Sequence, residues 1–156
     1  MKPFSAFFLW TVLFAFDRIT KAIAIHTLSS GSSLPLFSFL GIDFSLTLTT
    51  NYGAAWGLLT HWPTLLLFIR LAFIVLLLYL YCKANFSKTA KISLLLILAG
   101  ACSNIIDTLL WKHVVDMIHV RFWGWNYPVF NIADSWICLG ALGILCSSFF
   151  HDRVKQ

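Results

Sequence analysis

WPTLLLFIRLAFIVLLLYLYC, residues 62–82, decides the fold class. Apart from Arg70 it carries no charged side chain. At about 1.5 Å per helical residue it crosses about 30 Å, the thickness of a bilayer core. Working outward, ISLLLILAGACSNIIDTLLW (92–111) and VFNIADSWICLGALGILCSSFF (129–150) read as two further spans, each with Asn and Asp near one end. Residues 4–25 make the first span. Their start, FSAFFLWTVLFAF, resembles a signal peptide, but no small-x-small cleavage site follows promptly. The helical pattern runs on through Asp17, Arg18 and Lys21 to Ile25, so a retained helix is expected. The expected fold is an all-α integral membrane protein: four transmembrane helices and a small extracytoplasmic β element, in a single domain over 1–156.

Composition supports lipid as the solvent. Hydrophobic residues make up 60% and charged residues 11%, against about a quarter charged in soluble domains. So small a core cannot hide that much apolar surface. The net charge of +5 does not point to nucleic acid, because no binding motif surrounds the basic residues. They mark topology instead. Lys2, the Lys83, Lys88 and Lys91 loop, and Arg153 with Lys155 fall at one end, whereas residues 26–61 hold no Lys or Arg. Lys112 and Arg121 lie in the other outer loop. The positive-inside rule then places both termini in the cytoplasm. The four cysteines lack CxxC spacing and the five histidines are scattered without HExxH, so neither metal nor cofactor is expected.

The outer segments have patterns of their own. DFSLTLTT (43–50) alternates apolar and polar residues, a strand signal inside an outer β region of about 36–56. Gly31, Ser32, Ser33 and Pro35 before it read as turn. Val120 to Tyr127 is aromatic and suits the membrane interface.

All six acidic residues are Asp. Asp17, Asp107, Asp116 and Asp134 approach the outer boundary of the spans, where charge is costly and defaults to a functional hypothesis. Asp17 and Lys21 are four apart and read as an intrahelical ion pair. Arg18 and Arg70 read as charges that snorkel toward headgroups. Asn131 is a candidate N-cap, which puts Asp134 at the third helical position; helix capping alone is the competing reading of this pair. Two carboxylates meeting from different segments share a proton, one activating water while the other polarises a carbonyl. A proton relay in a small proton-coupled transporter or transporter subunit, and an assembly factor whose polar residues join helices, are the alternatives.

Four blocks in order, DRITK (17–21), NYGAAWG (51–57), GACSNIIDTLLWKHVVDMI (100–118) and PVFNIADSWICLG (128–140), resemble the lipoprotein signal peptidase (signal peptidase II) family. The resemblance implies a multi-pass enzyme of the bacterial inner membrane, expected as a monomer, with its active site near the outer face. It implies an aspartic endopeptidase that cuts diacylglyceryl-modified prolipoproteins just before the lipidated cysteine. Asp116 and Asp134 match the catalytic aspartates. Asn51, Asn104, Asp107 and Asn131 match polar positions around the site, and Asp17 and Lys21 match the first-block pair. Gly53 and Ala54, with Ala55, are expected to let the substrate backbone approach, and the strand at 43–50 to clamp it by added backbone hydrogen bonds. Asp134 is expected to be the more readily ionised aspartate and Asp116 the more frequent proton holder. The chain departs from the family at Ser103 (commonly Gly), Thr108 (commonly Arg), Lys112 (near a common Gly) and Trp56-Gly57 (commonly Phe-Ser). Lys112 or Arg121 are the candidates to replace the charge missing at 108.

Overall fold

The computed structural model describes residues 2–54 and 58–153, with side chains no further than Phe149. Ala55, Trp56 and Gly57, and the tail charges of Arg153 and Lys155, lie outside the described residues and side chains. The order is α1 (Pro3–Thr27), β1 (Ser33–Phe39), β2 (Ile42–Asn51), α2 (Pro63–Lys83), α3 (Lys88–Trp111), β3 (Val114–Phe122), β4 (Trp125–Asn126) and α4 (Ile132–Arg153). The chain is therefore mostly helical with a small antiparallel sheet. The helices α2 and α3, and α4 over Ile132–Phe149, are long and apolar enough to cross a membrane. The 25 residues of α1 are as long, but Asp17, Arg18 and Lys21 interrupt their apolarity.

Local chemistry sets the helix ends. Pro3 and Pro63 open α1 and α2, where a missing N–H costs nothing. The Ser87 hydroxyl caps α3 by accepting from the Ala90 N–H at 3.1 Å. That helix ends on Lys112 in the left-handed region (φ 65°), a conformation a glycine adopts at less cost. Lys112 thus stands at a position whose backbone suits glycine.

The helix α3 is the centre of the bundle and packs on α1, α2 and α4. Its contact with α4 is backbone-close. A Cβ added at Gly100 would lie 2.3 Å from the Ala133 carbonyl oxygen, and one at Gly140 2.5 Å from that of Ser93. Small residues at such crossings let helices associate where lipid removes the hydrophobic drive. Gly100→Ala is expected to cost about 1–3 kcal/mol through overpacking. It also pushes the first turn of α4 away from Asn104, one turn further along α3. Thermal unfolding in detergent measures the loss.

The sheet order is β1-β2-β3-β4, all antiparallel. Three expectations change here. The outer β region is larger than 36–56: the turn-rich Ser33 and Pro35 belong to β1, and residues 114–122 form a strand. VVDMIHVRF hides its strand character because Val114 to Met117 are buried in succession, without alternation. The fourth helix starts at Ile132 rather than 129, because Phe130 pairs with Ile118 of β3 first. Finally, β2 is an interior strand with partners on both edges. β1 covers its edge over Ile42–Thr47, so the expected strand addition over 43–50 is confined to the end of β2 beyond that pairing.

Candidate active site

Both aspartates arrive through short-range constraints. Asp116 stands third in β3, paired with Thr49 of β2. Asp134 stands third in α4, where Asn131 caps the helix. The Asp134 N–H donates to Asn131 Oδ1 at 2.9 Å, and the Asn131 N–H donates back to Asp134 Oδ2 at 3.2 Å. This reciprocal pair is a capping box with Asn and Asp in its two places.

Three asparagines then serve the two carboxylates, and each amide has its orientation forced by chemistry. Asn131 turns its Oδ1 to the α4 N–H, so its Nδ2 faces Asp116 Oδ1 at 2.7 Å. Asn51 turns its Oδ1 to the Gly53 N–H at 3.0 Å, so its Nδ2 faces Asp116 Oδ2 at 3.2 Å. Lys21 is only a donor and takes Asn104 Oδ1 at 2.8 Å, so Asn104 Nδ2 faces Asp134 Oδ1 at 2.8 Å. Every carboxylate oxygen of the pair accepts one N–H, and Asn131 touches both aspartates. Burial, followed by the neighbouring Asp134 charge, pushes the Asp116 carboxyl up to about 7, against the hydrogen bonds of Asn51 and Asn131.

Behind this layer lies a fully buried ionic cluster. Asp17, Lys21, Asp107 and Asn131 are 0% exposed. Lys21 Nζ meets Asp17 at 2.8 Å and Asp107 at 2.7 Å. The expected Asp17–Lys21 pair is therefore present, with Asp107 as a third member. The Ser103 hydroxyl donates to Asp17 Oδ2 at 2.6 Å. Asp17 Oδ1 accepts the Ala133 N–H at 2.7 Å, and so satisfies an α4 amide from α1.

The arginines correct the sequence reading. Arg18 pairs with Asp107 and lies over the Trp111 ring, 5.2 Å from its centroid. Arg70 reaches Thr108 Oγ1 at 3.0 Å and the Gly53 carbonyl at 2.8 Å. Neither snorkels. Nor do the residues proposed to replace a charge at 108 do so: Lys112 is exposed at the end of α3, and Arg121 bridges to Asp43 at 2.7 Å. The Ser38 hydroxyl and Arg121 together hold Asp43 below the usual carboxylate range. An arginine eight residues into an apolar helix was the available signal for Arg70, since intramembrane charge defaults to function.

A cavity of about 360 Å³ opens on this site. Asn51, Gly53, Ala54, Arg70, Asn104 and Asp134 line one part, and residues 127–130 with Phe73, Ile137 and Cys138 line another. Asp116, 2% exposed, connects to it through Asn51. The site thus pairs an apolar recess with a polar wall, the usual form of a ligand pocket.

The family model described as signal peptidase (SPase) II matches residues 9–150. Two solved structures are similar over nearly the whole chain. One, a bacterial membrane enzyme determined by the in meso method at 2.3 Å resolution, is 28% identical with a TM-score of 0.88, covering 100% of this chain and 94% of that one. The other, a bacterial membrane enzyme determined by the same method at 1.9 Å, is 29% identical with a TM-score of 0.81, covering 94% of each chain.

Proposed function

The chain belongs to the signal peptidase II family, and on that premise we propose that it cleaves diacylglyceryl-modified prolipoproteins just before the lipidated cysteine, with Asp116 and Asp134 as its catalytic dyad. As a family member it is a membrane-bound hydrolase of lipoprotein processing. The observation that carries the finer reading is the position of Asn131, whose side-chain and main-chain N–H groups hold one carboxylate each. A shared holder keeps the two acids together, where they cannot easily both ionise.

The ionised aspartate takes a proton from water, and the water oxygen attacks the peptide carbonyl. The protonated aspartate donates to the carbonyl oxygen; when the gem-diol collapses it takes a proton back from a hydroxyl, while the first aspartate passes the water's proton to the departing amine. Asp134 serves first as the base, because α4 presents its N-terminal dipole there. Asp116 holds the proton first, in keeping with its raised pKa. The apolar side of the cavity receives the signal-peptide helix and acyl chains, and Gly53 and Ala54 allow close backbone approach. The α1 helix makes the fourth crossing, because its charged residues turn into the protein rather than to lipid. One domain, a monomer, sits in the inner membrane with both termini cytoplasmic and the sheet outside. The transporter alternative fits less well: Asp17, Asp107, Asp116 and Asp134 join one network instead of spacing across the membrane.

The test is cleavage of a purified precursor with and without the diacylglyceryl group. Cleavage before the modified cysteine alone is expected, and an uncut lipidated precursor would sink the reading. The sign of the pH dependence follows from Asp116. Its acid form prevails below about 7 and is lost above it. Therefore kcat/KM should fall as pH rises through that region. A rate that climbs steadily across pH 6–9 contradicts the assigned proton.

A further inference from the structure

The proposed chemistry gives no role to the guanidinium of Arg70. Arg70 is the eighth residue of α2, about 10 Å along the helix from its start. Charge at that depth of an apolar span is costly without partners. Its partners lie on other segments: Thr108 of α3, and the Gly53 carbonyl just after β2. Each leads to one carboxylate. Thr108 donates to the Asn104 carbonyl at 2.9 Å, and Asn104 holds Asp134. The Gly53 N–H fixes the amide of Asn51, which holds Asp116. One guanidinium therefore steadies both arms of the pair.

The charges lead to the same residue. Lys21 and Arg18 are engaged by Asp17 and Asp107, two cations against two anions. The remaining carboxylates, Asp116 and Asp134, carry one negative charge when they share a proton. Lys21 acts on both, but its charge is already matched by Asp17 and Asp107; Arg70, which interacts electrostatically with both, is left to balance that charge. Among the described residues of the packed elements, the other candidates face elsewhere. On β3, His119 meets Ser45 and Arg121 meets Asp43. Before β3, His113 packs at a tilt against Tyr52 and Lys112 is exposed. On the cavity wall, Tyr127 and Cys138 offer no cation. Without Arg70, a low-dielectric site reaches neutrality only by taking a second proton, which removes the base.

We propose that Arg70 is the positioning residue of the dyad: it ties the Asn51–Gly53 segment to α3 and supplies the charge that leaves Asp116 and Asp134 with a single proton. This rests on the peptidase reading and places the balancing cation on α2.

The experiment measures kcat/KM against pH for the parent, Arg70→Met, Arg70→Lys and the double variant Arg70→Met/Thr108→Arg, with thermal unfolding in parallel. Arg70→Met should lose about tenfold or more near neutrality. Both limbs of its profile should move up by about one pH unit. Arg70→Lys keeps the charge and should keep the limbs while losing rate, since an ammonium lacks the planar fork. Arg70→Met/Thr108→Arg should bring the limbs back toward the parent. Unmoved limbs in a folded Arg70→Met, or limbs displaced equally in Arg70→Lys, overturn the inference while the parent's activity upholds the peptidase reading. A parent inert on lipidated precursor removes both. If Arg70→Met does not fold, the double variant decides: parental limbs support the charge role, and displaced limbs or a folded, inert protein refute it.

Discussion

Asp116→Asn and Asp134→Asn should each slow cleavage of a lipidated precursor by at least about two orders of magnitude, the usual scale of acid–base catalysis. Asparagine keeps the size of the side chain but neither binds nor releases the needed proton. The local geometry also predicts a structural cost. Each aspartate receives an N–H at both oxygens: Asp116 from Asn131 and Asn51, Asp134 from Asn104 and Asn131. An amide offers one oxygen, so one donor in each variant is left facing an NH2 group. A buried donor without an acceptor costs about 1–3 kcal/mol. Thermal unfolding measured beside the rate separates the two effects. Loss of rate in a folded variant supports the dyad, and near-parental turnover by either one refutes it.

Lys21→Met should be the most destabilising single change outside the dyad, by about 3–5 kcal/mol. Its ammonium is fully buried and meets Asp17, Asp107 and Asn104 at 2.7–2.8 Å. Removing it leaves the buried Asp17 charge without a cation and Asp107 with Arg18 alone. It also frees the Asn104 amide to turn, so that Asn104 no longer has to present its NH2 to Asp134. Asp17→Asn/Lys21→Met should recover part of the loss, since it removes the stranded charge while an amide oxygen can still accept the Ala133 N–H. Chemical unfolding in mixed micelles reports both values. A single variant as stable as the parent, or a double variant less stable than the sum of its parts, would contradict the account of the cluster.

What the chain reveals unfolded depends on the distance between partners. The Asp17–Lys21 pair was legible because four residues make one helical turn. The capping of α4 was legible because Asn131 and Asp134 are three apart and follow Pro128. The strand β2 showed itself by alternation, whereas β3 did not, because α3 and the rest of the bundle bury its first residues on both faces. Arg18 and Arg70 were visible as charges in apolar helices, but their partners lie 89 and 38 residues away. Without those partners the general rule for long basic side chains suggested headgroups. Packing reversed it: guanidinium groups that have carboxylates, hydroxyls and carbonyls within reach stay inside.

The bond from Asp17 to the Ala133 amide joins residues 116 apart. During synthesis the N-terminal helix enters the membrane long before α4 leaves the ribosome, and for all that time its carboxylate has no such amide to hold. Asp134 and its cap arrive only with α4. The proposed pair therefore comes together only once α4 has been made and docks on α1, and a nascent chain halted before α4 cannot hold it.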